Sequence, residues 1–140
     1  MNPWPGWKRL KKKYGNHEVT DLCSYGFSHR SKLERAVCDQ IADLEKAGEL
    51  RHLAHEDTQY LSRARYKYIP DFKVESLKTG EIYWIEAKGK GDHRWPTTKR
   101  MWRFYGPGRL EIYTGKWQSP ALIQTIVPEP GAKEEEACPA

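Results

Sequence analysis

The chain has 140 residues, of which 38% are hydrophobic and 31% are charged, and its formal net charge is +5. This length allows one domain with a single core, and the composition is that of a soluble globular protein. No apolar run approaches the roughly 18 residues of a membrane-spanning helix, and the basic N-terminus lacks the apolar segment of a secretory signal. We therefore expect a cytoplasmic protein with no membrane contact.

Residues 1–27 mix Pro, Gly, Trp and Lys without periodicity, so we interpret them as a basic, aromatic N-terminal arm. Within it, Lys11, Lys12 and Lys13 could bind nucleic-acid phosphates by counterion release without reading the base sequence. A disordered tail that only aids solubility explains the same composition equally well.

Apolar residues then recur at helical spacing, at Leu33, Val37, Ile41 and Leu44. This spacing predicts an amphipathic helix that begins at Ser28 or Ser31 and ends at Ala47. Gly48 follows at the position where many helices end in a residue with a left-handed conformation. Glu34 has two interpretations: it completes a capping box with Ser31, or it borders the packed face and looks over the end of a sheet.

Period-two patterns and turn residues predict the remaining elements. They are strands at 50–62, 65–76 and 82–89, a basic helix from Pro96 to Tyr105, a strand at 109–115 and a disordered acidic tail at 128–140. Lys78 to Glu81 form a plausible turn, so the second and third strands should make a hairpin. The predicted order is helix, three strands, helix, strand.

Charges interrupt this predicted hairpin. Glu86 follows Ile82–Ile85, which is apolar on both faces, and an unpaired carboxylate there would cost several kcal/mol, roughly. Counting back from the turn places Asp71 opposite Glu86. Two close carboxylates raise each other's pKa unless a cation lies between them, and oxygen ligands of this kind suit Mg²⁺. Lys88 alongside could orient a water or neutralise charge on a phosphate.

Pro70-Asp71, a spacer of fourteen residues and then Glu86-Ala87-Lys88 resemble the motif of the PD-(D/E)XK nuclease superfamily. Residues 31–37, SKLERAV, are similar to the helix that precedes the sheet in phage endonuclease I, a group of enzymes that resolve Holliday junctions. The resemblance spans about residues 28–115 and implies a single-domain α/β fold with a mixed central sheet flanked by helices in the order αβββαβ. We expect the nuclease domain to cover residues 28–127.

The resemblance also implies an activity and the residues that carry it. The activity is Mg²⁺-dependent endonucleolytic hydrolysis of DNA, with Mn²⁺ able to substitute. Asp71 and Glu86 would bind the metal together with the backbone carbonyl of Ala87. Lys88 would be the base that positions the water, and Glu34 would serve a second metal or the water network.

The expected substrate is DNA, either branched DNA such as a Holliday junction or duplex cut with weak sequence preference. If the chain is phage-encoded, it would act in the host cytoplasm. A homodimer and a phage or host protein partner are further expectations. Two alternatives stay open: a non-catalytic nucleic-acid-binding module with the same fold, and a nuclease subunit of a larger packaging or restriction assembly.

Basic residues that interleave with aromatic ones after the motif predict a phosphate-binding surface: Lys90, Arg94, Lys99, Arg100 and Arg103. Their alternative is a solvated helix face. The alternative for Glu86 and Lys88 is a simple ion pair, and the alternative for Asp71 is a strand-end carboxylate.

The cysteines and histidines predict no site. Cys23, Cys38 and Cys138 are widely spaced without a CxxC pair, so neither a disulfide framework nor a zinc site is indicated. The histidines are scattered in the same way, at His17, His29, His52 and His55.

Overall fold

The computed structural model describes residues 21–129. This part of the chain forms two helices and seven strands: α1 Lys32–Lys46, β1 Leu50–His55, β2 Gln59–Leu61, β3 Tyr66–Tyr68, β4 Phe72–Ser76, β5 Ile82–Ala87, α2 Trp95–Tyr105, β6 Leu110–Thr114 and β7 Ala121–Ile126. Lys11, Lys12 and Lys13 of the predicted arm and residues 130–140 of the predicted tail lie outside it.

Five strands form one sheet in the order β1-β4-β5-β6-β7, and β2 pairs with β3 in a separate ribbon. The β1–β4, β4–β5 and β6–β7 pairs are antiparallel. The β5–β6 pair is parallel, because α2 carries the chain back across the sheet between these strands. The prediction of an α/β fold with a mixed sheet and flanking helices is confirmed at this level.

The predicted order αβββαβ is wrong in detail, because two predicted strands each break in two. The strand predicted at 50–62 breaks after β1, where Glu56 has a φ of 51°. The strand predicted at 65–76 breaks before Pro70, which has no N–H to donate to a ladder. The segment after the first break, β2, and the segment before the second, β3, pair with each other instead of joining the main sheet.

The predicted hairpin is confirmed as β4 and β5, with Phe72 opposite Ile85. Its turn is closed by the Gly80 N–H, which donates to the Ser76 carbonyl at 2.8 Å. Gly80 has a φ of 74°, a left-handed conformation that favours glycine.

Helix α1 covers one face of the sheet. Its buried residues Val37, Cys38 and Ile41 pack against Phe72 and Ile85 in one core cluster. The helix begins with Ser31 as N-cap, whose hydroxyl accepts from the Glu34 N–H at 3.1 Å, and it ends at Lys46, within a residue of the predicted end.

Helix α2 covers the opposite face. Trp102, which is fully buried, packs there with Trp84, Leu110 and Ile112, and the β2–β3 ribbon adds Leu61. The two core clusters explain why Ile82–Ile85 is apolar on both faces, since β5 is the central strand and is covered from both sides.

Sequence reasoning missed strand β7. It lies at the edge of the sheet, and five of its six residues are exposed, so it lacks the apolar alternation that a half-buried strand shows. Beyond it, Glu129 of the predicted tail contacts α2, because its N–H donates to the Arg103 carbonyl at 2.9 Å.

Part of the predicted arm also belongs to the packed structure. Cys23 is buried in the α1 core cluster, and Phe27 stacks on the ring of His55 with centroids 4.3 Å apart. The outer bounds of the nuclease domain predicted at 28–127 stay a prediction. Neither α1 nor α2, the two helices within residues 21–129, has the length and apolarity that would let it cross a membrane.

Candidate active site

Asp71 and Glu86 lie side by side where β4 begins and β5 ends. The ladder that pairs Phe72 with Ile85 brings the preceding Asp71 next to Glu86. The Asp71 N–H donates to Glu86 Oε2 at 3.1 Å, and the Ala87 N–H donates to Asp71 Oδ2 at 2.8 Å. The two carboxylates are therefore held by backbone donors of the neighbouring strand, in the arrangement that counting from the turn predicts.

Glu34 approaches this pair from the first turn of α1. Its carboxylate accepts from the Arg30 N–H at 3.1 Å and lies 3.5 Å from Nδ1 of His29. The capping-box interpretation holds in part, because Ser31 caps the helix, but the Glu34 carboxylate bonds to Arg30 rather than to the Ser31 N–H. We call Glu34, Asp71 and Glu86 the acidic cluster.

Burial and mutual repulsion dominate the electrostatics of the acidic cluster. Burial raises the pKa of Glu86 to about 7, although the charge of Lys88 opposes the shift. The pKa of Asp71 is raised well above its usual range by burial and then by the charges of Glu86 and Glu34. Burial also acts to raise the pKa of Glu34, but the hydrogen bond and charge of His29 outweigh it and lower that pKa.

Lys88 lies beside the acidic cluster at the end of β5. Its Nζ is 3.8 Å from Glu86 Oε1 and 5.0 Å from the centroid of the Trp95 ring at the start of α2. Glu86 and Lys88 are therefore close enough to form the ion pair, and this pairing is compatible with a catalytic role. The Ala87 carbonyl stays a predicted ligand.

Tyr68 is a neighbour of the acidic cluster that sequence reasoning missed. Burial and the charges of Glu86 and Asp71 raise the pKa of its phenol well above the usual range. Its hydroxyl is buried and interacts with the Glu86 carboxylate. The residue ends β3, and a three-residue strand gives no signal that its last ring turns toward the site.

The structure divides the predicted basic surface in two. Near the acidic cluster, Lys99 Nζ lies 5.9 Å from the Trp95 ring that also faces Lys88, and the Arg94 guanidinium lies 5.6 Å from the Tyr66 ring. Lys90 is exposed in the loop between β5 and α2. Lys99 shares the Trp95 ring with Lys88, which itself lies 3.8 Å from Glu86, so positive charge lies close to the acidic cluster.

Arg100 and Arg103 line a groove of about 630 Å³ between α2 and β7. Lys99 belongs to both places, because it also lines this groove and its Nζ donates to Gln124 Oε1 of β7 at 3.3 Å. The Arg103 guanidinium is paired with the Glu129 carboxylate at 2.6 Å, which partly neutralises its charge. The phosphate-binding surface predicted from the sequence is therefore not one continuous row of unpaired basic side chains.

The structure brings together histidines and cysteines that the sequence shows as scattered. Ligand atoms of Cys23, His29, Cys38 and His55 all lie within 4.8 Å of one another, so these residues could hold a metal ion. Their separations in the chain match no zinc motif, because they come from separate parts of the fold. Only the folded arrangement of residues 21–31, which we call the lead-in, with α1 and β1 reveals the cluster.

No protein-family model matches this chain, and no curated protein is significantly similar to it. Its class is defined by the fold and the site together: a mixed α/β protein with an acidic cluster at the junction of β4, β5 and α1.

Proposed function

We propose that this protein is a Mg²⁺-dependent endonuclease that hydrolyses DNA phosphodiester bonds, with the site chemistry of the PD-(D/E)XK superfamily. The observation that carries the proposal is the convergence of three carboxylates from separate elements, with Lys88 beside them. Burying several acids together destabilises a fold unless a proton or a cation compensates their charge.

The residues of the acidic cluster fit Mg²⁺. They offer carboxylate oxygens, which are the ligands that hard divalent cations prefer, and Mn²⁺ accepts the same donors. Burial is the first cause of the raised pKa of Asp71 and of Glu86, and a bound cation would favour their ionised forms. The buried hydroxyl of Tyr68, next to Glu86, adds a polar atom that a metal-bound water could contact.

The chain's own residues would hold the reactants in place. Asp71 and Glu86, with the Ala87 carbonyl, would bind the metal, and Glu34 would serve a second metal or the water network. When bound, the metal supplies Lewis-acid stabilisation of the phosphate and lowers the pKa of water. Lys88 would orient the attacking water at Nζ, so that its oxygen attacks phosphorus in line as the bond to the leaving oxygen breaks.

The basic residues near the site would bind the substrate backbone. Lys88, Arg94 and Lys99 lie against the rings of Trp95 and Tyr66, and phosphate contacts of this kind position DNA without reading its sequence. Lys90, in the loop between β5 and α2, would add a further phosphate contact. These residues favour selection by DNA structure, or weak sequence preference, and a branched junction is the first substrate to compare with duplex.

The test is cleavage of supercoiled plasmid and of a synthetic four-way junction, with Mg²⁺ added or omitted. The wild type should nick both only with the metal, and Glu86→Gln should abolish nicking at equal DNA occupancy. Lys88→Met should slow it about 100-fold or more. Glu49→Gln, an exposed glutamate just after α1, is the matched control and should cleave like the wild type.

Binding to DNA without cleavage under Mg²⁺ or Mn²⁺ would contradict the proposal and favour the non-catalytic binding module. Full activity of Glu86→Gln would equally remove the acidic cluster from the chemistry. The ratio of junction to plasmid cleavage shows whether the enzyme selects branched DNA.

A further inference from the structure

Two thiols and two imidazoles meet on the α1 side of the sheet. Cys23 and His29 come from the lead-in before α1, Cys38 from the middle of α1 and His55 from the end of β1. Cys23, Cys38 and His29 are buried, and His55 is partly buried. His29 also contacts Glu34, so the group borders the acidic cluster without sharing a ligand with it.

All four ligand atoms lie within 4.8 Å of one another, and the two distances from His55 to the sulfurs match a tetrahedral site. Zinc binds thiolate sulfur at about 2.3 Å and imidazole nitrogen at about 2.0–2.1 Å, so neighbouring ligand atoms on a tetrahedron lie about 3.3–3.8 Å apart. Here His55 Nε2 lies 3.5 Å from Cys38 Sγ and 3.8 Å from Cys23 Sγ. Soft thiolate and imidazole donors select zinc over Mg²⁺, which prefers oxygen.

Both histidines are oriented as metal ligands usually are. A ligating imidazole commonly uses its second nitrogen for a hydrogen bond that fixes the ring. His55 Nδ1 bonds to His52 Nε2 at 2.7 Å, which leaves His55 Nε2 facing the sulfurs. His29 Nδ1 faces Glu34 Oε2 at 3.5 Å, while its Nε2 is buried and without a hydrogen-bond partner among residues 21–129.

We propose that Cys23, His29, Cys38 and His55 bind one zinc ion per chain in a structural site. Four protein ligands fill a tetrahedral shell and leave no open position for substrate, which distinguishes structural from catalytic zinc. The ion joins the lead-in to α1 and to the edge strand β1. Metal binding then contributes directly to folding stability.

The first experiment measures metal in the wild-type protein purified without chelators. Mass spectrometry of metals should find about one zinc per chain, and the protein should unfold at a lower temperature after the zinc is removed. Replacing zinc with Co²⁺ should give the sulfur-to-cobalt charge-transfer band and the intense visible bands of a tetrahedral site. These readouts need no variant and no nuclease activity.

Variants then assign the ligands. Cys38→Ser and His55→Gln should reduce zinc content and weaken the cobalt charge-transfer band. His93→Gln, in an exposed loop, and Cys138→Ser are the histidine and cysteine controls and should keep both. If a ligand variant fails to fold, the cobalt spectrum of the wild type still decides the matter.

Several outcomes would overturn the inference. Wild-type protein that contains no zinc and gives no tetrahedral cobalt spectrum has no such site. A disulfide between Cys23 and Cys38 in the unreduced protein would also exclude it, as would loss of metal in Cys138→Ser with retention in Cys38→Ser.

Discussion

Glu86 is a buried acid on the central strand of the sheet. It is 5% exposed, and its neighbours Trp84 and Ile85 belong to opposite core clusters. Lys88 at 3.8 Å and the backbone N–H of Asp71 offset its charge only in part. Such a group is costly to bury, and the metal ion proposed above would offset that cost.

This cost predicts a pH dependence of stability. The folded pKa of Glu86, about 7, lies above the ordinary value of 4.5, so the folded protein holds a proton that the unfolded chain releases. The contribution of Glu86 is therefore fully favourable below about pH 4.5 and is lost as pH rises through about 7, by up to about 3 kcal/mol. Glu86→Gln removes this loss, so the variant should gain stability over the wild type as pH rises.

Urea unfolding across this pH range, without added divalent metal, measures the effect. The free energy of unfolding of Glu49→Gln should follow the wild type at every pH. The free energies of unfolding of Glu86→Gln and wild type could instead change in parallel from acid to neutral pH. That result would show that Glu86 is not buried as an uncompensated acid.

The acidic cluster and the cluster of Cys23, His29, Cys38 and His55 differ in how well the sequence predicts them. Asp71 and Glu86 face each other across a hairpin, so counting residues from the Gly80 turn is sufficient. Cys23 and His55 are 32 residues apart and meet only because the lead-in folds over α1 and β1. No local pattern encodes such a meeting, and a spacing rule for zinc ligands misses it.

At the scale of elements, helix α1 and the β4–β5 hairpin are predictable because period, cap and turn agree. The strands at 50–62 and 65–76 are not, since the positive φ of Glu56 and the break at Pro70 accompany the ribbon that β2 and β3 form. Strand β7 escapes prediction because the exposed edge of a sheet imposes no alternation of apolar residues.

Helix α2 carries a prediction about salt dependence. Arg100→Ala should flatten the slope of log affinity against log salt by about one. Arg103→Ala should flatten it less, because Glu129 already pairs with the Arg103 guanidinium at 2.6 Å. Glu129→Gln should steepen the slope by freeing that charge.

Fluorescence anisotropy of a labelled duplex, measured without Mg²⁺ over a range of salt concentrations, gives these slopes. Lys46→Ala, at the exposed end of α1, is the control for a general change in net charge. A slope for Arg100→Ala equal to that of the wild type would remove the groove between α2 and β7 from the DNA-binding surface.

At the scale of the whole molecule, β7 leaves one edge of the sheet open. Within the strand, Leu122 is 47% and Ile123 60% exposed, and β7 pairs with β6 alone among the described strands. Uncharged apolar edges of this kind pair readily with a second chain. We therefore predict self-association, with a mean mass that rises with protein concentration, and a monomer when Ile123→Lys places a charge on the edge.

Sedimentation velocity over a range of concentrations tests this prediction of a homodimer. Leu77→Lys, which changes a residue of similar exposure in the β4–β5 turn, should associate like the wild type. A wild type that remains monomeric at every concentration would contradict it.

From the parallel pairing of β5 with β6 we expect an order of events during folding. Asp71 and Glu86 lie 15 residues apart and meet when the hairpin closes, whereas β6 must wait for the α2 crossover and Cys23 must return to His55 from 32 residues away. Closing longer loops costs more entropy and is slower. We therefore expect the repulsion between the Asp71 and Glu86 carboxylates to oppose an early step of folding, the closure of the hairpin. The measured rate of refolding should then be higher in acid or with a divalent cation present, because either relieves this repulsion.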